Sequence, residues 1–447
     1  MDGIATHRIP SVTNTDTTDT GPTMGLARYH TWFRPKKPTL PPDGRRHVMV
    51  VFHATFPHTK GGINVMIAAL IQEWSRLGVR VSLFVPGEWH ETQLKHQNFG
   101  SVTLYRMRLR PWHDARHPWR GRLGFLLDLP RTLWRLYRLT ARQGVDLLHF
   151  HTPRAYQFHF QLLAMLGGPP GVLTFHGTDA LEFATTPRAN QALLHWIARR
   201  CHAITAVASH YARLLATAHP ELCPIHHIPN GIEPLDEAAL QPPPMPLPAC
   251  YWIMVGWIEP PKAQDVAIRA WAEVVQHHPD LHLLILGSAP ELKPGTPYYP
   301  GYLEEIQTLA ATLGCASRIL WPGNLPRSQV LAIMRQAEGL IFPSHREGLP
   351  YVLLEAGLTG LPVVCNQIPP FTDLLEPDKT GLLTPDSDPQ ALAAAVMRLH
   401  ADPDLRHSLA TAWQTEVRNR YSLRAMAAGY LTLFATLTGR PFPEMPP

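Results

Sequence analysis

Two carboxylates stand eight positions apart in the segment FPSHREGLPYVLLEAGLTGLPVV, residues 342–364: Glu347 and Glu355. The apolar residues before them predict a buried strand, and Gly348 and Pro350 predict a turn into a helix, with Pro350 at its first position. The start of a helix offers unpaired N–H groups that favour phosphate, and nearby carboxylates accept hydrogen bonds from sugar hydroxyls. A nucleotide sugar carries both groups. The simpler alternative is one acid that complements the helix dipole and a second that is solvated.

Strand and helix patterns around these acids repeat in two halves of the chain. From residue 47, HVMVVFHAT predicts a strand, INVMIAALIQEWSRLG a helix and VRVSLFVP a second strand. Near residue 250 the same order returns in ACYWIMVGW, QDVAIRAWAEVVQHH and LHLLILG. We therefore predict an α/β fold of two doubly wound, Rossmann-like domains, with ligand sites outside the carboxyl ends of the strands.

The predicted domain boundaries follow changes in composition. Residues 1–45 are rich in Thr, Pro and charge without periodicity, which predicts a disordered leader. The Pro-rich stretch within residues 236–248 predicts a hinge between an N-terminal domain, 46–238, and a C-terminal domain, 239–420. The apolar stretch within 421–447 predicts a last helix that packs back across the hinge.

Composition excludes several classes of protein. With 447 residues and 45% hydrophobic composition, the chain exceeds the size of a single core. The five cysteines are scattered without close pairing, which argues against a disulfide framework and favours a reducing cytosol. No run approaches the ~18 to 20 apolar residues of a spanning helix. A net charge of +5 favours an anionic partner such as a phosphate ligand, a membrane surface or a nucleic acid.

The segment PSHREGLPYVLLEAGLTGLPVV resembles the donor-site signature of the retaining glycosyltransferases of family 4, also called glycosyl transferases group 1. TKGGINVMIAALIQEWSRLGVRVSLF, VLTFHGTD, IPNGIE and PPKAQDVAIRAW follow the order of that family, so the resemblance extends from about residue 47 to 440. It implies the GT-B fold, in which two Rossmann-like domains face a central cleft. It also implies a retaining hexosyltransferase that moves a sugar from a nucleoside-diphosphate sugar to a hydroxyl of a carbohydrate or lipid-linked acceptor, in polysaccharide or glycolipid assembly.

The resemblance assigns roles to individual residues of this sequence. As catalytic residues, Glu347 would face the donor sugar near the reacting carbon, His176 would contact the sugar from the opposite domain, and Lys262 would meet the diphosphate. Glu355 would hold the nucleotide ribose. The other donor-binding residues that it implies are Gly61 and Gly62, whose backbone approaches the diphosphate, and Gly348, Leu349, Arg346 and Asp179.

Several positions depart from the pattern of the family. Trp257 stands where the family usually carries an Arg five positions before Lys262, and Trp has neither the charge nor the paired N–H groups of Arg. Arg346 is a candidate to cover the lost phosphate contact, while Ala263 and Asp373 replace a Gly and a Glu. Two alternatives stay open: a non-catalytic relative that binds nucleotide sugar or carbohydrate, and a sugar-nucleotide epimerase or phosphorylase on the same fold. Hydrolysis is less favoured, because it needs both acids ~5 to 10 Å apart at one glycosidic bond.

We predict no bound metal and no cofactor. His149 and His151 alternate along one strand face, but a third ligand is not evident, so structural histidines are favoured. PDSDP and DPD mimic the Asp-x-Asp metal motif of other transferases. Their residues Asp388 and Asp402 each precede a proline, however, which is typical of helix N-caps.

A basic segment between residues 105 and 142 holds ten arginines and only two acids. Four of its arginines recur at helical spacing on one face of a predicted helix: Arg131, Arg135, Arg138 and Arg142. Such a helix is typical of attachment to an anionic lipid surface, and a plain solvated face is the alternative. No nucleic-acid-binding motif accompanies it. The prediction is a cytoplasmic protein, with peripheral attachment to the inner face of the membrane as the further hypothesis.

Overall fold

The computed structural model of the chain describes residues 44–52, 62–86, 95–99, 102–110, 118–293 and 296–443. Gly61 and the predicted leader up to residue 43 lie outside the described residues. Two large sheets of mainly parallel strands dominate the described part, with helices between successive strands. This arrangement confirms the predicted α/β fold. We call the part built on the first sheet the first lobe and the part built on the second sheet the second lobe.

The first sheet is formed by β1 (His47–Val51), β2 (Arg80–Pro86), β3 (Lys95–Phe99), β4 (Val102–Met107), β5 (Leu147–His151), β6 (Gly171–Phe175), β7 (Ala203–Ala206) and β8 (Ile225–His227). The strand order is β3-β4-β2-β1-β5-β6-β7-β8, and the β3–β4 pair alone is antiparallel among these strands. The helices of this lobe are α1 (Gly62–Arg76), α2 (Pro118–Gln143), α3 (Phe158–Met165), α4 (Thr178–Thr185), α5 (Ala192–Ala198) and α6 (Ser209–Ala218).

The second lobe contains β9 (Tyr251–Val255), β10 (His282–Leu286), β11 (Glu291–Lys293), β12 (Thr296–Pro297), β13 (Ile319–Gly323), β14 (Leu340–Phe342), β15 (Val363–Asn366) and β16 (Leu382–Thr384). Its sheet has the order β13-β10-β9-β14-β15-β16, while β11 and β12 form a separate ribbon. The helices are α7 (Gln264–His277), α8 (Tyr302–Thr312), α9 (Arg327–Met334), α10 (Tyr351–Thr359), α11 (Pro369–Leu374) and α12 (Pro389–Ala401).

Burial explains why these segments form strands and helices. Every residue of β1, β5 and β6 is buried, as expected for parallel strands that are covered on both faces. Helix α1 buries a stripe at helical spacing that includes Met66, Leu70 and Trp74. Each sheet therefore has one apolar core on either side, and the polar ends of its strands are left to carry function.

The strand order reverses at one point in each sheet, between β1 and β5 and between β9 and β14. Loops that leave the two strands at such a point diverge and create a crevice in which ligands bind. In the second sheet these loops follow Val255 and Phe342. Lys262 lies in the first of them and Glu347 in the second.

The start of helix α10 differs from the sequence-based prediction by one residue. Helix α10 begins at Tyr351, so Pro350 is the residue before the helix and not its first residue. The extended backbone of Pro350 explains the difference, because its ψ of 115° does not continue into a helix. Asp388 and Asp402 are N-caps as predicted, since each carboxylate accepts a hydrogen bond from the N–H group three residues further on.

The last two helices, α13 (Pro403–Arg420) and α14 (Leu423–Thr438), pack against different lobes. Trp413 of α13 donates its indole N–H to the carbonyl of Leu353 in α10 at 2.8 Å. Helix α14 instead lies on α1, where the rings of Trp74 and Phe434 have centroids 5.4 Å apart. The chain crosses from the second lobe back to the first just before α14.

This crossing is tied to the chain segment that leaves the first lobe. Ile232 and Ser422 form a parallel bridge, in which the Ile232 N–H donates to the Tyr421 carbonyl and the Leu423 N–H donates to the Ile232 carbonyl, both at 2.8 Å. Two segments that are far apart in sequence therefore run side by side between the lobes.

All five cysteines are free, as predicted. Among the described residues, no helix combines the length and the apolar character that a membrane span requires.

Replacing Phe434 with Ala tests the contribution of α14 to the first lobe. The Phe434 ring is 0% exposed, so we expect the free energy of unfolding to fall by about 3 to 5 kcal/mol because a cavity remains. Urea denaturation with tryptophan fluorescence measures this change. Thr436→Ala on the exposed side of α14 is the matched control and should change stability by no more than about 0.5 kcal/mol. Equal losses in both variants would contradict this packing.

Candidate active site

A lysine and a glutamate meet at the switch point of the second sheet. The Lys262 Nζ donates to the Glu347 Oε1 at 2.6 Å, and their side chains are 17% and 10% exposed. The two residues are 85 positions apart in sequence. Charges this far from bulk water are costly when unpaired, so removal of either side chain would leave the other as an uncompensated buried charge. Two of the three residues predicted to be catalytic are thus in direct contact.

The loop that carries Glu347 is held from outside by side chains that the sequence analysis did not assign to the site. The Asn366 Nδ2 donates to the Pro343 carbonyl and to the Asp386 Oδ1, both at 2.6 Å. The ring of His345 lies 2.7 Å from the same carboxylate oxygen. Asn366 ends strand β15, and a polar residue at that position was the available indication. Asp386, which belongs to the Asp-x-Asp mimic, has a positioning contact here.

Glu355 is buried on α10 and pairs with Arg327, which the sequence analysis also missed. The Arg327 Nε donates to the Glu355 Oε1 at 2.6 Å, and the Glu355 side chain is 12% exposed. Burial raises the pKa of Glu355, although the Arg327 guanidinium acts in the opposite direction. This position is incompatible with the alternative in which Glu355 is solvated. A hydroxyl that binds Glu355 must share the carboxylate with Arg327.

Asp179 shapes the loop of the first lobe that faces this pair. Its Oδ1 accepts hydrogen bonds from the N–H groups of His176, Gly177 and Ala180, at 2.9, 2.8 and 2.9 Å. Burial raises the pKa of Asp179 to about 6, and the three N–H groups act against this rise. These contacts hold the backbone around His176, so the predicted donor contact of Asp179 would be made by its other oxygen.

His176 belongs to a buried row of histidines. The His151 Nδ1 and the His176 Nε2 are 3.0 Å apart, and the His149 Nε2 lies 2.8 Å from the Thr174 hydroxyl. Burial lowers the pKa of His176 to about 3, so its ring is neutral at physiological pH. The His176 Nδ1 is buried without a hydrogen-bond partner in the described structure. Of the two alternating histidines, His151 is thus the one that contacts and orients His176.

The two lobes touch through glycines beside His176 and Glu347. A Cβ atom on Gly348 would lie 1.8 Å from the carbonyl oxygen of His176, and one on Gly177 would lie 2.2 Å from the Gly348 Cα. Gly177 also has a φ of 137°, which other residues rarely adopt. Only residues without a side chain allow this approach, which places the His176 carbonyl against the loop that carries Glu347.

Helix α6 of the first lobe makes polar contacts across the same cleft. The Tyr211 hydroxyl donates to the carbonyl of Glu347 at 2.5 Å. Asp373 of α11 accepts the N–H of His210 and forms an ion pair with Arg213 at 3.1 Å. In the sequence, Asp373 was noted only as a residue that replaces the usual Glu of the family. In the structure its contacts connect α11 to α6 at the edge of the cleft.

The remaining predicted residues lie around this centre. A Cβ atom on Gly62 would be 3.8 Å from the Tyr351 Cβ, so α1 begins beside the start of α10. Arg346 is exposed in the Glu347 loop, whereas Leu349 is 7% exposed and packs into the core of the second lobe. Leu349 can therefore meet a donor only through its backbone.

The loop around Lys262 contains Trp257 and Ala263, two residues that differ from the pattern of the family. The Trp257 carbonyl accepts a hydrogen bond from the Gln264 Nε2 at 2.7 Å, and Trp257 is half-buried. Ala263 has a φ of 55° and a ψ of 46°, a left-handed conformation that favours glycine. The loop thus keeps a glycine-type backbone at a position where the sequence has alanine.

Two family models match the chain. One is described as Glycosyltransferase Family 4 and covers residues 60–234, and the other is described as Glycosyl transferases group 1 and covers residues 244–415. Together with the two sheets and the loop whose Glu347 pairs with Lys262, these matches define a glycosyltransferase enzyme of the GT-B fold. The chain belongs to the family 4 glycosyltransferases, as the sequence resemblance predicted.

Similar proteins agree with this assignment. The chain is 25% identical to the GDP-mannose-dependent alpha-(1-6)-phosphatidylinositol monomannoside mannosyltransferase of Mycolicibacterium smegmatis, over 79% of this chain and 90% of that protein. It is 32% identical to the D-inositol 3-phosphate glycosyltransferase of Acidothermus cellulolyticus, but over only 37% of this chain and 36% of that protein. Among solved structures, sucrose-phosphate synthase from Thermosynechococcus elongatus matches with a TM-score of 0.68 and 18% identity, over 88% of this chain and 100% of the other. That structure shows a common fold.

Replacing Gly348 with Ala tests the contact between the lobes. Because the added Cβ would overlap the His176 carbonyl, we expect the lobes to stay further apart and the kcat/KM for sugar transfer to fall at least about tenfold. Steady-state kinetics with the preferred donor measure this loss. Gly429→Ala on α14, where the added Cβ meets only Ile228 at 3.4 Å, is the matched control and should keep its activity. Undiminished activity of Gly348→Ala would show that this contact is not needed in the reaction.

Proposed function

We propose that this enzyme transfers a sugar from a nucleoside-diphosphate sugar to an acceptor hydroxyl, with retention of configuration at the anomeric carbon. The observation that carries the proposal is the Lys262–Glu347 ion pair at the switch point, on the loop that the backbone of His176 approaches from the first lobe. One cation and one carboxylate thus lie together where the two lobes meet. This set suits a donor that has an anionic leaving group next to a polyol.

In the proposed reaction, the departing diphosphate binds Lys262 in place of Glu347. The leaving group develops negative charge, and the ammonium group stabilises that charge more strongly in a cleft that excludes water. Helix α10 starts four residues after Glu347, and the unpaired N–H groups at its start add a partial positive charge. Glu347, relieved of part of its interaction with Lys262, is then free to accept hydrogen bonds from the sugar hydroxyls.

Retention follows if the acceptor hydroxyl attacks on the face from which the diphosphate leaves. No enzyme nucleophile is then required, and the departing phosphate oxygen can receive the proton of the acceptor. His176 binds a sugar hydroxyl through Nδ1, and its low pKa keeps the ring neutral during the cycle. Glu355 holds the ribose together with Arg327. We propose that no metal takes part, because Lys262 and the helix dipole supply the positive charge.

The acceptor is proposed to be a polyol in glycolipid or polysaccharide assembly. Support comes from the names of similar proteins, which act on a phosphatidylinositol mannoside or on an inositol phosphate. Such relatives favour glycosyl transfer over the alternatives of a non-catalytic binding protein, an epimerase or a phosphorylase. The retained Lys262, Glu347 and Glu355 favour it as well, because a protein that only binds a nucleotide does not need an acid at the reacting carbon.

Melting temperatures in the presence of UDP, GDP and ADP test the donor site. A ligand that binds only the folded chain raises its melting temperature, so we expect one nucleotide to stabilise the protein by several degrees. Glu355→Ala should abolish this stabilisation. Glu347→Gln should keep it and yet lower kcat by about 100-fold or more, since it removes an interaction at the reacting carbon. Glu305→Gln, on the exposed face of α8, is the matched control.

Two outcomes would count against the proposal in different ways. If no nucleotide stabilises the wild-type chain, the donor site itself is misassigned. If a nucleotide binds but Glu347→Gln transfers sugar at the wild-type rate, the site binds the donor without using Glu347 for the reaction.

We propose further that α2 attaches the enzyme to an anionic membrane surface. In its N-terminal half, Leu123, Leu126 and Leu127 are 52%, 52% and 74% exposed, at a spacing that places them on one side of the helix. The C-terminal half carries the arginine face, and the guanidinium of Arg138 lies 4.5 Å from the ring centroid of Trp134. Apolar residues beside a basic face suit the boundary between lipid headgroups and acyl chains.

Charge on this helix is poorly balanced by acids. Burial and the neighbouring Arg131 lower the pKa of Arg135, while Asp128 acts in the opposite direction. An anionic surface would relieve the repulsion between the arginines. A lipid-linked acceptor would then reach the cleft from the inner face of the membrane, and the enzyme would work in the cytoplasm as a peripheral protein.

Binding to liposomes tests the attachment. At low salt we expect the protein to sediment with vesicles that contain anionic lipid and not with neutral vesicles, because each basic residue near the surface contributes about 1 kcal/mol. Changing Arg131, Arg135 and Arg138 together to Gln should release it. Changing Arg398, Arg418 and Arg420 of the second lobe to Gln removes the same charge and should not. If both triple variants bound the vesicles equally, the proposed attachment through α2 would be contradicted.

A further inference from the structure

Two histidines and a glutamate meet in the first lobe, away from the cleft. His195 lies on α5, His219 directly follows α6, and Glu221 is two residues further on. One nitrogen or oxygen atom from each of the three lies within 4.8 Å of the other two. The histidines are 7% and 3% exposed, whereas Glu221 is at the surface. None of the three has a place in the proposed sugar transfer.

The polar atoms of this cluster lack ordinary partners. Both ring nitrogens of His195 and the Nδ1 of His219 are buried without a hydrogen bond among the described residues. A buried polar atom without a partner is rare in folded proteins, because it loses its water without compensation. An ion in the cluster would bind one nitrogen of each of the two rings.

Hydrogen bonds outside the cluster orient it for ligation. The His219 Nε2 lies 3.1 Å from the carbonyl oxygen of Phe183, which can only accept, so this nitrogen carries the hydrogen. In the neutral ring the lone pair is then on Nδ1, on the side of Glu221, whose Oε1 is 3.7 Å away. Metal-bound histidines typically donate their second N–H to a carbonyl or a carboxylate in this way.

The carboxylate is oriented as well. Arg188 donates to the Oε2 of Glu221 at 3.0 Å and also contacts the Ala218 carbonyl. The other oxygen of Glu221, Oε1, is the one that faces His219. Arg188 thus fixes the carboxylate with one oxygen turned toward the imidazoles and partly balances its charge.

We propose that His195, His219 and Glu221 bind a divalent zinc ion. Two imidazole nitrogens and one carboxylate oxygen are a ligand set that zinc prefers, and water can take a fourth, open position. Zinc bonds of ~2.0 to 2.1 Å in a tetrahedron place the ligand atoms about 3.4 Å apart. The His219 Nδ1 and the Glu221 Oε1 are already close to that separation, and the third ligand atom needs a shift of roughly 1 Å.

The ion would take no part in the sugar transfer, because it lies at the opposite end of α4 from the cleft. Helix α4 begins beside Gly177 and ends beyond Phe183, whose carbonyl binds His219, so the two sites are separated by about 10 Å along the helix. An ion here would join α5 to the ends of α4 and α6. Both of the latter helices begin at the cleft, near Glu347 and Asp373.

This inference departs from the sequence-based prediction of no bound metal. That prediction considered His149, His151 and the Asp-x-Asp mimics, where ligands follow one another closely. His195 and His219 are 24 positions apart, and no spacing rule links them. Only the packing of α5 against the end of α6 brings their rings to a centroid separation of 4.5 Å.

Zinc content of the untagged full-length chain tests the site. After treatment with a chelator and dialysis against buffer with 10 µM zinc, we expect about one tightly held zinc per chain by mass spectrometry of the metal. Glu221→Gln, which changes an exposed residue and should fold normally, is expected to weaken zinc affinity at least about tenfold, and His195→Gln to do the same. His407→Gln, on the exposed side of α13, is the matched control and should bind zinc as the wild type does.

A second measurement separates a built site from loose binding to the other histidines. Zinc that binds the folded state should raise the melting temperature of the wild type and of His407→Gln, and should raise that of Glu221→Gln and His195→Gln much less. The inference is overturned if the wild type retains no zinc, or if all four proteins bind it equally and show the same change in melting temperature.

Discussion

Charge pairing inside a nearly closed cleft is the constraint on which the rest of the site depends. Lys262 and Glu347 are too buried to be left alone, so each requires the other at hydrogen-bond distance. They lie on loops from different strands, and both loops must be rigid for the pair to form. The loops meet because parallel strands end at one edge of the sheet. The loop of Glu347 is rigid because Asn366 and Asp386 anchor it.

The same pairing requirement extends outward from the cleft. Glu355 is paired with Arg327, Asp179 with three backbone N–H groups, and Asp373 with Arg213. Several polar groups that a ligand could use are therefore already engaged, whereas the Nδ1 of His176 and the Oδ2 of Asp179 are buried without a partner among the described residues. A donor must exchange these interactions for its own. Such a site discriminates against molecules that offer hydroxyls or phosphates in the wrong places, because they would leave buried partners unpaired.

Much of this architecture was predictable from the sequence because its causes are local. Continuous apolar runs marked the parallel strands, and the amphipathic pattern of α1 marked a helix that packs on them. The two glutamates were recognisable because they flank a helix start. Arg327 was not recognisable, since its position next to Glu355 arises from strand order rather than spacing. Asn366 was marked only as a polar residue at the end of a strand, and its contact with Pro343 could not be read from spacing. The start of α10 was placed one residue early because Pro350 suits either side of a helix boundary.

Helix α14 has a consequence for the order in which the molecule can be built. Its residues Tyr430 and Phe434 complete the core of the first lobe, yet they follow the last strand of that lobe by roughly two hundred residues. During synthesis at about 5 to 20 residues per second, that core stays exposed for roughly 10 to 40 seconds. The second lobe can close its own sheet in this interval. The nascent first lobe therefore exposes the apolar surface around Trp74 until α14 covers it.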